Sequence, residues 1–183
     1  TNGNPSADFE PITLFLVDDD SPGLPQINVE DATPVLEGNG SGGFDTGSGA
    51  LPTYSNVGGQ PKGVATGDLN GDGYIDLITA NGAANTISVM LNNGDGTFAA
   101  AVHWNAGPNP DSVAVADMDR DGDLDLAIAN DLGVVVLLNN GNATFASPTG
   151  LAAPNDPASV TLGDFDNDGN VDIAFLNHAL GAN

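Results

Sequence analysis

The stretch "ADMDRDGDLDLAIAN", residues 116–130, crowds Asp117, Asp119, Asp121 and Asp125 together with Gly122 among them and an apolar run behind. Like charges at this spacing repel one another. A compensating group is therefore expected at the turn, and what it is decides how the chain is read.

The chain's own cations cannot supply it, because 25 acidic residues stand against only Lys62 and Arg120, a formal net charge of −23. The same imbalance makes nucleic acid and anionic membrane poor partners. A solvated, disordered polyanion is also unlike this chain, which is 40% hydrophobic with Val, Ile and Leu in short runs. Its 183 residues suffice for one domain, or one with a small appendage, and for a core. There are no cysteines, so neither disulfides nor thiolate metal sites can hold the fold. No apolar run approaches the roughly 18 residues of a membrane span.

The acidic stretch occurs three times, as "DLNGDGYID" at 68–76, "DMDRDGDLD" at 117–125 and "DFDNDGNVD" at 164–172, with starts 49 and 47 residues apart. Pro61, Pro110 and Pro157 each stand seven residues upstream, and Asn81, Asn130 and Asn177 each end the run behind. A further pair, "LNNGDGTF" at 91–98 and "LNNGNATF" at 138–145, repeats at a lag of 47. Such recurrence is the mark of a tandem repeat. In the second copy "SVAVAD", "LDLAIAN", "VVVLLNN" and "ATFASP" read as four short strands separated by turn signals. Four strands in about 47 residues is the size of one propeller blade. No segment has sustained helical periodicity, so the expected fold is all-β, built of tandem four-stranded blades.

Hard cations such as calcium take six to eight oxygen ligands from a compact turn. Counted from Asp117, positions 1, 3, 5 and 9 are Asp117, Asp119, Asp121 and Asp125, and Asp123 at position 7 offers its carbonyl. The first copy offers Asp68, Asn70, Asp72 and Asp76 with the Tyr74 carbonyl, and the third Asp164, Asp166, Asp168 and Asp172 with the Asn170 carbonyl. Gly73, Gly122 and Gly169 permit the bend at position 6. An EF-hand begins in this way but needs a bidentate Glu at position 12 between helices; here that place is Thr79, Ile128 or Phe175, and strands flank the loop. Solvated Asp/Asn/Gly turns are the plain alternative, and an identical pattern in three copies argues against it. About three calcium ions, one per repeat, are expected.

The residues "GDLNGDGYIDLITAN", "ADMDRDGDLDLAIAN" and "GDFDNDGNVDIAFLN", with "LNNGDGTF" between copies, resemble integrin-type FG-GAP repeats and the similar VCBS repeats of bacterial secreted proteins. The resemblance covers about residues 44–183, the last repeat being incomplete, and leaves residues 1–43 as an amino-terminal β segment or linker. It implies β-propeller blades with a calcium ion in a loop of each, in surface proteins serving adhesion, carbohydrate binding or scaffolding. The literal Phe-Gly and Gly-Ala-Pro signatures are degenerate, which brings the chain closer to the bacterial kind. "ITLFLVDDD" at 12–20 and "INVEDATPVLEGNG" at 27–40 resemble the end of one Calx-beta domain and the start of another. Equally, residues 12–17 read as a blade strand equivalent to "ISVMLNN" at 87–93.

Other signals are weak. "GNGSGG" at 38–43 matches a dinucleotide-binding pattern without its strand-helix context and reads as a linker. Asn39 and Asn142 lie in glycosylation sequons. His103, Trp104 and His178 are candidates for a ligand platform, though isolated groups of this kind are usually packing or surface residues. No nucleophile-base grouping or free carboxylate pair for glycoside hydrolysis stands out, and no enzyme activity is expected. The expected role is an extracellular calcium-binding structural or adhesion module, secreted or at the cell surface, with self-association, a cell-surface protein or a glycan as partner. A lectin-like propeller or an accessory module of a secreted enzyme is the alternative.

Overall fold

The structure, a computed structural model, describes residues 57–95, 97–152 and 156–177 and the backbone of three short strands. These are β1 (Val17–Asp18), β2 (Leu36–Gly38) and β3 (Phe44–Asp45), in which β1 pairs parallel and β3 antiparallel to β2. The rest of the amino-terminal segment, including most of both Calx-beta-like stretches, the sequon at Asn39 and most of "GNGSGG", lies outside the described residues, as does His178.

All regular structure among the described residues is β. The first repeat forms a four-stranded antiparallel sheet of β4 (Pro61–Gly67), β5 (Asp76–Asn81), β6 (Thr86–Met90) and β7 (Val102–Asn105) in chain order. The second repeats it with β8 (Ser112–Ala116), β9 (Asp125–Asn130), β10 (Gly133–Leu137) and β11 (Thr149–Ala152). The third contributes the hairpin β12 (Pro157–Gly163) and β13 (Asp172–Asn177). The register is the same in each: Gly67 pairs with Asp76, Ala116 with Asp125 and Gly163 with Asp172, so every acidic stretch is the connection of a hairpin.

Side chains alternate across a strand, and the second strand of a repeat uses both faces. Leu126 and Ile128 of β9 pack into the core shared with the first repeat, while Ala127 and Ala129 pack beside Val160 of the third. All six residues of β9 are buried, as are all six of β5. That explains the unbroken apolar runs behind the loops, which a sheet with one wet face would not have. The recurring asparagines close these strands. Asn130 is buried, donates to the Ala106 carbonyl (2.9 Å) and accepts from the Leu132 N–H (2.8 Å). Asn81 donates to Ser88 Oγ (2.8 Å) and accepts from Thr79 Oγ1 (2.9 Å).

The fourth strand departs from expectation. "ATFASP" is not a strand: Phe145 forms an isolated bridge to Asn139, and β11 begins only at Thr149. The cause is local. Asn142 Oδ1 accepts from both the Thr144 N–H and its hydroxyl, and the tight turn drives Phe145 into the core edge-on to Trp104, ring centroids 5.2 Å apart. The first repeat forms the same isolated bridge between Asn92 and Phe98, although Phe98 is only half-buried.

Ile128 and Phe175 hold the same place in successive repeats, the one buried and the other 39% exposed. Ile128→Ala is expected to cost about 2–5 kcal/mol, and Phe175→Ala distinctly less. Denaturant unfolding of the two variants measures the ranking.

Candidate metal centre

Each loop is closed by its ninth residue. Asp125 is fully buried, accepts the Met118 N–H at Oδ2 (2.8 Å) and takes the Asn139 N–H at Oδ1 (2.9 Å). Asp76, also fully buried, does so with Leu69 N (2.9 Å) and Asn92 N (2.9 Å). Asp172 accepts from Phe165 N (2.9 Å). One carboxylate thus ties the start of the loop to the strand that follows it. Burial raises the Asp76 pKa against these hydrogen bonds, and the charges of Asp72 and Asp68 raise it further.

The first residue organises the turn. Asp68 takes the Gly71 and Gly73 N–H groups (2.8 and 2.9 Å), Asp117 takes Gly122 N (3.1 Å), and Asp164 takes Asp168 N and Gly169 N (3.1 and 2.9 Å). Wrapping the backbone around this carboxylate puts positions 4 and 6 at positive φ: Gly71 72° and Gly73 89°, Arg120 65° and Gly122 98°, Asn167 62° and Gly169 83°. Such values are open to glycine and rare for other residues.

The structure brings positions 1, 3 and 9 together. Carboxylate oxygens of Asp117, Asp119 and Asp125 lie within 4.8 Å of one another, as do those of Asp164, Asp166 and Asp172. In the first loop Asn70 replaces the middle aspartate, leaving Asp68 and Asp76 as the carboxylates of that trio. Position 5 is not a member of these trios and caps the backbone at position 7: Asp72 accepts from Tyr74 N (2.8 Å), Asp121 from Asp123 N (2.9 Å) and Asp168 from Asn170 N (2.7 Å). Tyr74 and Asp123 lie against Gly94 and Gly141, where a Cβ would come within 2.5 Å of the Tyr74 ring and of the Asp123 carboxylate.

The electrostatics fit a cation. Desolvation raises the Asp119 pKa, and the neighbouring Asp121, Asp125 and Asp117 add to it. Asp117 Oδ1 is buried and has no hydrogen-bond partner, an uncompensated acceptor of a kind folded proteins avoid. Asp117 and its neighbours Asp119 and Asp125 together form an oxygen donor set that could hold a hard metal ion. Asp168 runs the other way: hydrogen bonds from the Asn170 backbone and side chain, then the Arg120 charge, hold its carboxyl below the usual range. Arg120 also reaches from the second loop to donate to the Gly169 carbonyl of the third.

Missing from the sequence reading are the groups that fasten the loops from outside. Asn139 Nδ2 donates to the carbonyls of Leu69 (2.8 Å) and Leu124 (3.0 Å), and Ala143 N donates to Leu69 O (3.0 Å), so the second repeat holds the first acidic loop. Their only sequence signal is the constant lag of the "LNNG" pair.

Fold and loops together define an all-β tandem repeat protein with one acidic hairpin loop per repeat. A family model of the FG-GAP-like repeat matches residues 68–128 and again residues 117–175, more than half of the chain. The chain belongs to the FG-GAP-like repeat family. A comparison with curated proteins returns no match.

Asp125→Ala orphans two backbone donors, each worth about 1–3 kcal/mol when buried without a partner. A loss of about 2–6 kcal/mol is expected in chelator as well as in calcium. Asp121→Ala, at an exposed position, is expected to leave stability in chelator nearly unchanged, and urea titrations of both variants check the contrast.

Proposed function

We propose that the chain is a calcium-binding FG-GAP module whose repeats are blades of a β-propeller, and that it serves outside the cell as a structural or adhesion unit. The observation that carries this is the close approach of the Asp117, Asp119 and Asp125 carboxylates in the second loop, with Asp117 Oδ1 buried and without a hydrogen-bond partner. Asp68, Asn70, Asp72 and Asp76, Asp117, Asp119, Asp121 and Asp125, and Asp164, Asp166, Asp168 and Asp172 would hold the ions, with the carbonyls of Tyr74, Asp123 and Asn170. Asp76 and Asp125 keep a lone pair on each oxygen beyond the backbone bonds they accept. Bound calcium supplies the positive charge that the loops lack, and because the unfolded chain has no preformed site, binding adds directly to stability.

Millimolar extracellular calcium fills even weak sites of this type, which supports the location. No helix among the described residues is long and apolar enough to cross a membrane. Self-association is supported by β13. The equivalent β5 and β9 have neighbours on both sides, whereas β13 pairs with β12 alone among the described residues and leaves Leu176 70% exposed. Such edges take up added strands, and "ITLFLV" at 12–17 of a second copy is the proposed donor. A glycan-binding role has one observation in its favour, a groove lined by Asn85, Thr86, His103, Trp104 and Asn105. A glycan array separates it from the adhesion reading.

Melting curves in millimolar calcium and in chelator test the central claim. At a hundredfold excess over Kd one site adds about 2.7 kcal/mol, which raises Tm by about 5–10 °C at about 2–4 °C per kcal/mol for a chain of this size. Coincident curves reject it. The loop at 68–76, one charge poorer, is expected to bind most weakly, and site-resolved titration ranks the three. Deleting residues 1–20 is expected to reduce particle size in calcium; an intact chain that is already monomeric rules out strand exchange.

A further inference from the structure

We propose a further cation site, separate from the acidic loops, at the junction of the second and third repeats, held by Asp111, Asp131 and Asp156. Repeat register defines three equivalent places at each junction: the residue after the strand's proline, the residue after the closing asparagine, and the residue before the next repeat's proline. Between the first and second repeats these are Lys62, Gly82 and Asn109, and between the second and third they are Asp111, Asp131 and Asp156. Backbone geometry repeats as well, since Asn109 and Asp156 share positive φ angles of 48° and 55°.

At the first junction a positive charge occupies the place. The Lys62 ammonium donates to Asn109 Oδ1 (2.6 Å), and a Cβ on Gly82 would meet Lys62 Cε at 2.6 Å and Asn109 Oδ1 at 2.9 Å. The lysine stem lies across the glycine, and its charged end bridges the two repeats. At the second junction the lysine, the glycine and the asparagine have all become aspartates. Carboxylate oxygens of Asp111, Asp131 and Asp156 lie within 4.8 Å of one another. The Asp111 N–H is bonded to the Ala129 carbonyl (2.9 Å) and the Asp131 N–H to that of Pro108 (3.1 Å), which fixes two of the three backbones.

A second observation points to a ligand. The Asp111 side chain is only 10% exposed, and although its Oδ1 pairs with Lys62, its Oδ2 is buried without a hydrogen-bond partner. Asn109 Nδ2 donates to Asp131 Oδ1 (2.8 Å) and adds no net charge. Arg120, the chain's other cation, is engaged at Gly169. Three carboxylates and the Lys62 ammonium sum to a formal charge of −2, and all the carboxylate donors are oxygen. That is the chemistry of a hard divalent cation of the calcium class. Asp111 and Asp131 belong to the second repeat and Asp156 leads into the third, so the ion would staple two repeats where the preceding junction uses a lysine.

Equilibrium dialysis of the full chain with calcium alone tests this on the wild type and on Asp131→Asn/Asp156→Asn, which removes two charges and keeps the shapes. The wild type is expected to bind one ion more than the variant. In chelator the variant, freed of repulsion, is expected to melt above the wild type, the reverse of what loss of a purely structural contact does. Equal ion counts overturn the proposal, and so does a wild type that binds no calcium. A wild type that binds one ion, lost in the variant, upholds this site while removing the loop sites. Should the double variant fail to fold, Asp156→Asn alone is expected to weaken one class of site at least tenfold, and unchanged affinities overturn it.

Discussion

The structure depends on a buried carboxylate in each of its first two repeats. Asp76 and Asp125 are inaccessible to solvent, and each divides its two oxygens between the second residue of its acidic loop and the first asparagine of the Leu-Asn-Asn turn. A buried carboxylate without such bonds would be strongly unfavourable. With them it becomes a junction that fixes three things: where the hairpin loop starts, where the third strand leaves the sheet, and which way the loop's other carboxylates face. The acidic loop is therefore shaped by a hydrogen-bonded anion before any cation is considered.

From that junction the repeats are joined in series. The second residue of each loop, placed by its bond to the buried aspartate, points at the next repeat: Leu69 is buried in the core shared with the second repeat, Met118 packs beside the third, and Phe165, followed by no further repeat among the described residues, is 58% exposed. The Leu69 carbonyl accepts from Asn139 and Ala143 of the second repeat, so the first loop is as much a part of the interface as of its own hairpin. The two basic residues follow the same rule. Lys62 and Arg120 each reach 49 residues ahead, to Asp111 and to Gly169. In a chain of net charge −23, both cations are spent on holding one repeat to the next.

Much of this is legible in the sequence because the repeat period samples one local structure three times. The nine-residue acidic pattern, the proline seven residues before it and the asparagine closing the run mark real boundaries: β4 and β12 begin at Pro61 and Pro157, and β5, β9 and β13 end at Asn81, Asn130 and Asn177. What was not legible depends on contacts between repeats. "ATFASP" has the composition of a strand, yet Phe145 is drawn into the core beside Trp104, 41 residues earlier, and the strand forms later. Asp111, Asp131 and Asp156 are scattered singly along the chain and meet only when two repeats stack. Composition and spacing within one repeat contain no trace of either.

The fifth position of the loop shows why an acidic repeat can be pre-shaped without being fully assembled. Asp121 and Asp168 are bonded to the N–H two residues ahead and stand outside the trios at positions 1, 3 and 9. In the proposed calcium-bound state each would turn from that N–H to the ion, exchanging an exposed hydrogen bond for a cation. The second and third loops differ in what must be released. Asp121 accepts one such bond, from Asp123 N, whereas Asp168 accepts from both nitrogens of Asn170 and is further held by the charge of Arg120. Arg120 belongs to the second loop, so its hold on the third ties the two loops to one another: a cation that draws Asp168 inward works against a guanidinium anchored one repeat back. The second and third loops, equal in side-chain charge, are in this way made unequal by the repeat beside them, so that under the proposed calcium binding the order of these two would be a property of the stack, whereas the first loop is set apart by its own Asn70.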